Sequence, residues 1–253
     1  GSTPRSQHRL CATPHHGGAA PPVRHNGAVI DATSPSARSK VRFSGRGRYD
    51  RETVDTILDS VSIGVVAIAD QAGPLALPQV IARCGDELVT HASPASRLSR
   101  ALKAGAQACV TAWSLDGIVA ARSWFHHSMN YRAVVVQGSA RVVTDADEKL
   151  ELLKTLTDHV LPGRSGETRP PTAKELAATM VFAFSLDEAS AKVRSGAPID
   201  DEDDLTKWPV WAGVIPLTTV PGEPVADEVT ATATRALSPA ISAFVVREPA
   251  RPQ

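Results

Sequence analysis

The chain has 253 residues, enough for one domain with extensions or two small domains. Its 27 Lys and Arg balance 27 Asp and Glu, so no global field recruits nucleic acid or an anionic membrane, and neither is an expected partner. Three cysteines without a CxxC pair argue against a disulfide framework or a thiolate zinc site, and no metal ligand set stands out.

No apolar run approaches the roughly 18 residues of a spanning helix, and no signal-peptide core follows the N-terminus. A soluble, cytoplasmic protein is the expectation, with Cys84 and Cys109 as buried reduced thiols.

Residues 1–45 are rich in Pro, Gly, Ala, Ser, Arg and His without apolar periodicity, and read as a flexible arm. The folded region spans 46–217. It opens where Asp50 caps a helix carrying Val54, Ile57 and Leu58 at helical spacing. Apolar runs at 61–69, 75–83 and 87–90, separated by turns, predict an antiparallel meander of three strands. Leu98, Ala101, Leu102 and Ala104 then suit a short helix ending at Gly105. Residues 108–114 form a strand, 115–117 a turn and 118–121 the return, and 131–143 is the longest strand. Asp145 caps a helix to residue 160 with Leu150, Leu153, Leu156 and Val160 on one face, and Thr172 with Glu175 forms a capping box. A strand at 180–185, a short helix at 187–193 and a solvated acidic loop at 200–204 follow. Residues 208–211 hold two of the four tryptophans, and 218–253 form a C-terminal extension without clear period. The fold class is mainly β with flanking helices (α+β).

Two segments carry candidate chemistry. In His91-Ala92-Ser93-Pro94-Ala95-Ser96-Arg97, a strand ends just before a helix whose first turn holds Ser96 and Arg97. Hydroxyls, helix-terminus N–H groups and a guanidinium fork in one place suit a phosphate. The alternative is that Ser93 merely caps the helix and Arg97 is solvated. The spacing is not a Walker or Rossmann glycine fingerprint.

The second segment, 121–132, is dense in polar, basic and aromatic side chains: His126, His127, Ser128, Asn130, Tyr131 and Arg132 run into a series of valines. Such a cluster at the entrance of a strand predicts a site lining. Adjacent His126 and His127 on a strand point to opposite sides, so at most one faces a cleft. One of them is placed to protonate a substrate or to ligate a haem iron, and a third reading is a histidine that only hydrogen-bonds across an interface. Trp113 and Trp124 read as packing residues.

The order of these pieces resembles the FMN-binding split barrel of the pyridoxamine 5'-phosphate oxidase-like superfamily, and within it the flavin-nucleotide-binding proteins related to nitroimidazole-resistance reductases. Tyr49-Asp50-Arg51, Leu77-Pro78, His91 to Arg97, His126 to Arg132 and Trp211-Ala212-Gly213 carry the resemblance across 46–217. It implies an antiparallel split β-barrel forming a homodimer with FMN in clefts at the interface. By the same resemblance Ser96 and Arg97 grip the FMN phosphate, and backbone around Leu77, Pro78, Gln79 and Val80 lines the ring. His91, Ala92 and Ser93 touch the ribityl chain or ring edge, while Ser128, Asn130, Tyr131 and Arg132 add polar contacts. Trp211 approaches across the interface.

The oxidases proper carry an arginine at the start of the second strand and another after the tryptophan. Here those places hold Ala76-Leu77-Pro78 and Val214-Ile215-Pro216, so true pyridoxamine-phosphate oxidase activity is not expected. The implied function is an FMN-dependent oxidoreductase that takes hydride from a nicotinamide nucleotide, with His126 or His127 as proton donor, and passes electrons to a small organic acceptor. A haem-binding protein, a relative using the deazaflavin F420 and a non-catalytic flavin-binding module are the alternatives.

Overall fold

A helix begins at Arg51 because the Asp50 carboxylate accepts the Thr53 amide at 2.8 Å, and α1 (Arg51–Asp59) then turns Val54, Ile57 and Leu58 into the core. The computed structural model describes residues 35–246. The strands are β1 (Gly47–Arg48), β2 (Ile63–Asp70), β3 (Gly73–Cys84), β4 (Glu87–Ala92), β5 (Gln107–Ala120), β6 (Ser128–Ser139), β7 (Arg141–Val143), β8 (Met180–Ser185), β9 (Ala189–Arg194) and β10 (Gly213–Pro216). Around them lie α2 (Arg97–Lys103), α3 (Ala146–Val160), α4 (Ala173–Ala177), α5 (Glu202–Lys207), α6 (Glu228–Thr232) and α7 (Pro239–Val245).

The strand order is β1-β9-β6-β5-β2-β3-β4-β8-β7, with β10 also on β5, and every pairing is antiparallel. The meander β2–β3–β4 is as expected. The decisive strand is β3: residues up to Val80 pair with β2, and from Ile81 onward the strand pairs with β4. It therefore belongs to two sheets and turns the corner of a split barrel at Val80. Phe182 and Phe184 of β8, Val66 of β2 and Val134 of β6 fill the interior with α1 and α2. Truncating either buried phenylalanine to Ala would cost about 3–5 kcal/mol. A second layer forms where Leu152 and Leu156 of α3 pack on Ala82, Val89, Val181 and Ala183.

Several expectations are corrected. The turn expected at 115–117 is a bulge within one continuous strand, and β10 lies against β5 there. Gly117 permits that approach, since a Cβ would stand 3.1 Å from the Ile215 carbonyl oxygen. The long strand 131–143 breaks at Ala140 into β6 and β7, which enter different sheets. Where a helix is expected at 187–193, residues 187–188 form a turn and β9 follows from Ala189, because β6 offers a free edge that overrides local preference. The acidic run 200–204 leads into α5, where carboxylates favour the helix N-terminus. Trp113 and Trp124 do not pack inside: they are 54% and 97% exposed. Cys84 is disulfide-bonded rather than a thiol, whereas Cys109 is free and half-buried.

Residues 1–34 of the expected arm lie outside the described residues. Within 35–45, the Ser36 hydroxyl donates to Glu188 and Arg38 donates to Gln107 at 3.1 Å, so this stretch is bonded to the body. No helix among the described residues is long and apolar enough to cross a membrane.

Candidate functional site

The corner of β3 and the end of β4 open onto a cavity of about 730 Å³. Val80 and His91 form its floor, and the Thr90 hydroxyl ties the two strands by donating to the Val80 carbonyl at 2.8 Å. The walls come from one side of α3 (Leu150, Leu153, Leu156, Val160) and from Pro170 and Pro171 before α4. The face of α3 that the sequence marks as apolar is thus largely a cavity wall, with Leu156 shared between cavity and core. The rim is polar. Arg169 donates to both Glu175 oxygens at 2.8 and 2.7 Å, and Glu175 completes a capping box with Thr172; the Arg169 hydrogen bonds first, and the Thr172 contacts second, hold its carboxyl down at about 2.

His91 is the imidazole among the lining residues. Its Nδ1 is buried without a hydrogen-bond partner, and desolvation alone pushes the imidazole below its ordinary value of 6.5.

The expected phosphate grip is arranged differently. Ser96 caps α2 by accepting the Ser99 amide at 3.0 Å, while Ser93 is exposed and its carbonyl closes the turn to Ser96. The Arg97 guanidinium is already held by Asp70, with Nη2 and Nε at 2.5 and 3.0 Å, and it also donates to the Gly73 carbonyl. This pairing raises Arg97 and lowers Asp70. Ala92 is half-buried opposite Met180. On β3, Leu77 packs inward against the core, Pro78 is exposed, and the Gln79 amide folds back to the Pro78 carbonyl at 2.9 Å.

His126 and His127 are not on a strand. Both belong to the loop before β6, so strand alternation does not govern them. His126 faces Asp201 at 3.2 Å and meets the Phe125 ring edge-on, and the His127 Nδ1 lies 2.7 Å from the Ser123 carbonyl. Neither lines the cavity. Ser128 opens β6 opposite Val119. Asn130 is buried and donates to the Gly196 carbonyl at 3.2 Å, while the Arg194 guanidinium donates to its side-chain oxygen. The Lys192 ammonium lies 5.6 Å from the centroid of the Tyr131 ring. Arg132 forks onto Asp116 at 2.9 and 3.0 Å. Trp211 precedes β10 and is 67% exposed.

Outside the barrel, one sheet face is uncovered and apolar. Trp113, Leu115 and Ile118 of β5, Met129 of β6 and Ile215 of β10 are exposed there, with Leu115 opposite Tyr131 and Ile118 between Met129 and Ile215. Patches of this kind mark association surfaces. Sequence reasoning missed the cavity walls from α3 and residues 165–171, because an amphipathic helix reads the same whether its apolar face meets core or cofactor space. Among the described residues, no three His, Cys, Asp or Glu gather as metal ligands.

The family model described as pyridoxamine 5'-phosphate oxidase matches residues 50–193. Among solved structures, the FAD and heme binding protein from Mycobacterium smegmatis is 39% identical, with 79% of this chain and 97% of that one covered and a TM-score of 0.74. The flavocytochrome Anf3 from Azotobacter vinelandii is 38% identical over 84% of this chain and 98% of its own, with a TM-score of 0.78. A 5-nitroimidazole antibiotic resistance protein homologue from Bacteroides thetaiotaomicron shares the fold at 18% identity, covering 58% and 86%, with a TM-score of 0.50. Curated proteins give no match.

Proposed function

The chain belongs to the pyridoxamine 5'-phosphate oxidase family, and from that premise we propose that it is a flavin-binding redox protein that also holds a haem. His91 is the observation that carries this reading: a neutral, unpartnered imidazole on the floor of a cavity of about 730 Å³ with largely aliphatic walls. Those residues fit a porphyrin, whose apolar ring needs such walls and whose iron needs a neutral nitrogen ligand. Two relatives at 39% and 38% identity, named for FAD and heme and as a flavocytochrome, support it. The axial role falls to His91 rather than to His126 or His127, which stand in an outer loop.

FAD is favoured over FMN by the name of the first relative. Arg97, committed to Asp70, does not fit the phosphate grip as arranged, so the flavin is assigned to the exposed apolar sheet face, shared between two copies. The apolar face around Leu115 supports a homodimer. When bound, the flavin supplies hydride acceptance from a nicotinamide donor and the haem a one-electron centre. The chain's own part is to position both, exclude water around His91 and keep that imidazole unprotonated. A true pyridoxamine-phosphate oxidase reaction is not proposed, since the two arginine places hold apolar residues.

The test is a titration of the purified protein with haemin and, separately, with FAD, followed by absorbance. A sharp Soret band at one haem per chain is expected, with quenched flavin fluorescence on FAD addition. Haemin that stays free in solution removes the haem assignment, and unquenched FAD removes the flavin one.

A further inference from the structure

Eight arginines, Arg51, Arg83, Arg97, Arg122, Arg132, Arg141, Arg164 and Arg169, each stand in a salt bridge. Where β1 meets β9, several cations without such a bridge gather in one place. Among the described residues, Arg42, Arg46, Lys192 and Arg194 have no carboxylate partner. Arg194 is the most unusual, being only 9% exposed and bound to no acid, its guanidinium donating to the neutral Asn130 amide. An uncompensated buried cation is costly, and proteins seldom keep one without a use. Burial first, and the neighbouring charge of Arg46 second, disfavour its protonated form.

The register puts these groups together. Tyr131 lies directly opposite Arg194, Lys192 lies opposite Gly47 of β1, and the Lys192 ammonium reaches over the Tyr131 ring. The exposed Phe43 ring is flanked by the Arg42 and Arg46 guanidinium groups at 5.4 and 5.5 Å from its centroid. Positive charge without acids, next to two aromatic faces, is what a nucleotide with a pyrophosphate requires: cations for the phosphates and a ring for the base.

We propose that the β1–β9 edge is a subsite for the adenosine diphosphate portion of a dinucleotide, with Arg194, Arg46 and Lys192 holding the pyrophosphate and Phe43 or Tyr131 stacking the base. The inference rests on the redox reading above for its source of dinucleotide, either FAD or the nicotinamide donor, which share this moiety. In either case it adds a site that neither the phosphate motif at Ser96 and Arg97 nor the His91 cavity supplies.

The probe is ADP alone, titrated by calorimetry into the purified full chain at low and high salt. Saturable one-site binding that weakens with salt is expected, and Arg194→Met should reduce affinity by about tenfold or more, the scale of lost charge-assisted hydrogen bonds. Methionine fills the buried volume without a charge, and Arg46→Ala at the surface provides a second variant with a several-fold loss should Arg194→Met fail to fold. Two further arms identify the source. If Arg194→Met weakens FAD but not FMN, the subsite serves the flavin; if it raises KM for the nicotinamide donor with FAD unchanged, the subsite serves the donor. ADP that does not bind the native chain, or binds both variants as tightly, overturns the inference. Haemin uptake is measured on the same samples, so loss of the haem reading and loss of this one are told apart.

Discussion

Asp70 and Arg97 close a two-point ion pair, 2.5 and 3.0 Å, between the end of β2 and the first residue of α2. The guanidinium also reaches the Gly73 carbonyl, so one side chain fastens the β2–β3 turn to the helix. What the sequence offers as a phosphate fork is spent inside the protein.

Arg97→Ala and Asp70→Asn should therefore each lower the thermal midpoint, and the double variant should lower it no further than the worse single one, because the two share one interaction. Flavin affinity should change by less than about threefold in Arg97→Ala, well under the tenfold that 1.4 kcal/mol represents. Fluorescence titration checks this, and a tenfold loss would return Arg97 to the phosphate.

His91→Ala should weaken haemin binding by about tenfold or more and shift the Soret band, as loss of an axial ligand does. Added imidazole should restore part of the spectrum by entering the vacated space. His126→Ala and His127→Ala should leave haemin binding as it is, and a shifted Soret band in either would move the ligand to the loop.

The same histidine predicts a pH dependence. Burial lowers the folded-state pKa of His91 below 6.5, so the unfolded chain takes up a proton at pH values where the folded apo-protein still refuses one. Stability from this source is present above about 6.5 and is lost as pH falls below it. Urea midpoints at pH 7.5 and 5.5 should differ more for the native apo-protein than for His91→Gln, and equal differences would mean the imidazole is not held neutral.

Trp113→Glu or Leu115→Asp should convert a dimer to a monomer in sedimentation velocity with little effect on the isolated subunit, since surface changes usually stay within about 0.5 kcal/mol. Both positions are exposed on the bare sheet face. A variant that remains dimeric would place the contact elsewhere.

Much of the barrel was legible in the sequence because local signals and tertiary structure agree: Asp50, Asp145 and Thr172 cap the helices they were expected to cap. Residues 187–193 were misread because their strand character comes from β6 alongside, which sequence spacing does not display. The site was only half legible. Val80 and His91 were found through motif order, but their cavity depends on α3 crossing β3 some seventy residues later, and no local pattern distinguishes that wall from core. His126 and His127 drew attention by composition, and a loop placed them away from the cavity. Arg194 was missed because an unpaired buried cation is defined by the acids that are not near it.

The corner in β3 has a thermodynamic consequence. Pro78, exposed on the first sheet, and Val80, on the cavity floor, are two residues apart on one strand, about 7 Å along the chain. If two copies pair through the sheet that carries Pro78 and the pairing shifts this strand, the affinity of the cavity for an occupant changes. By reciprocity, an occupant would then change the association constant by the same factor and in the same direction. Sedimentation velocity with and without haemin reads that coupling.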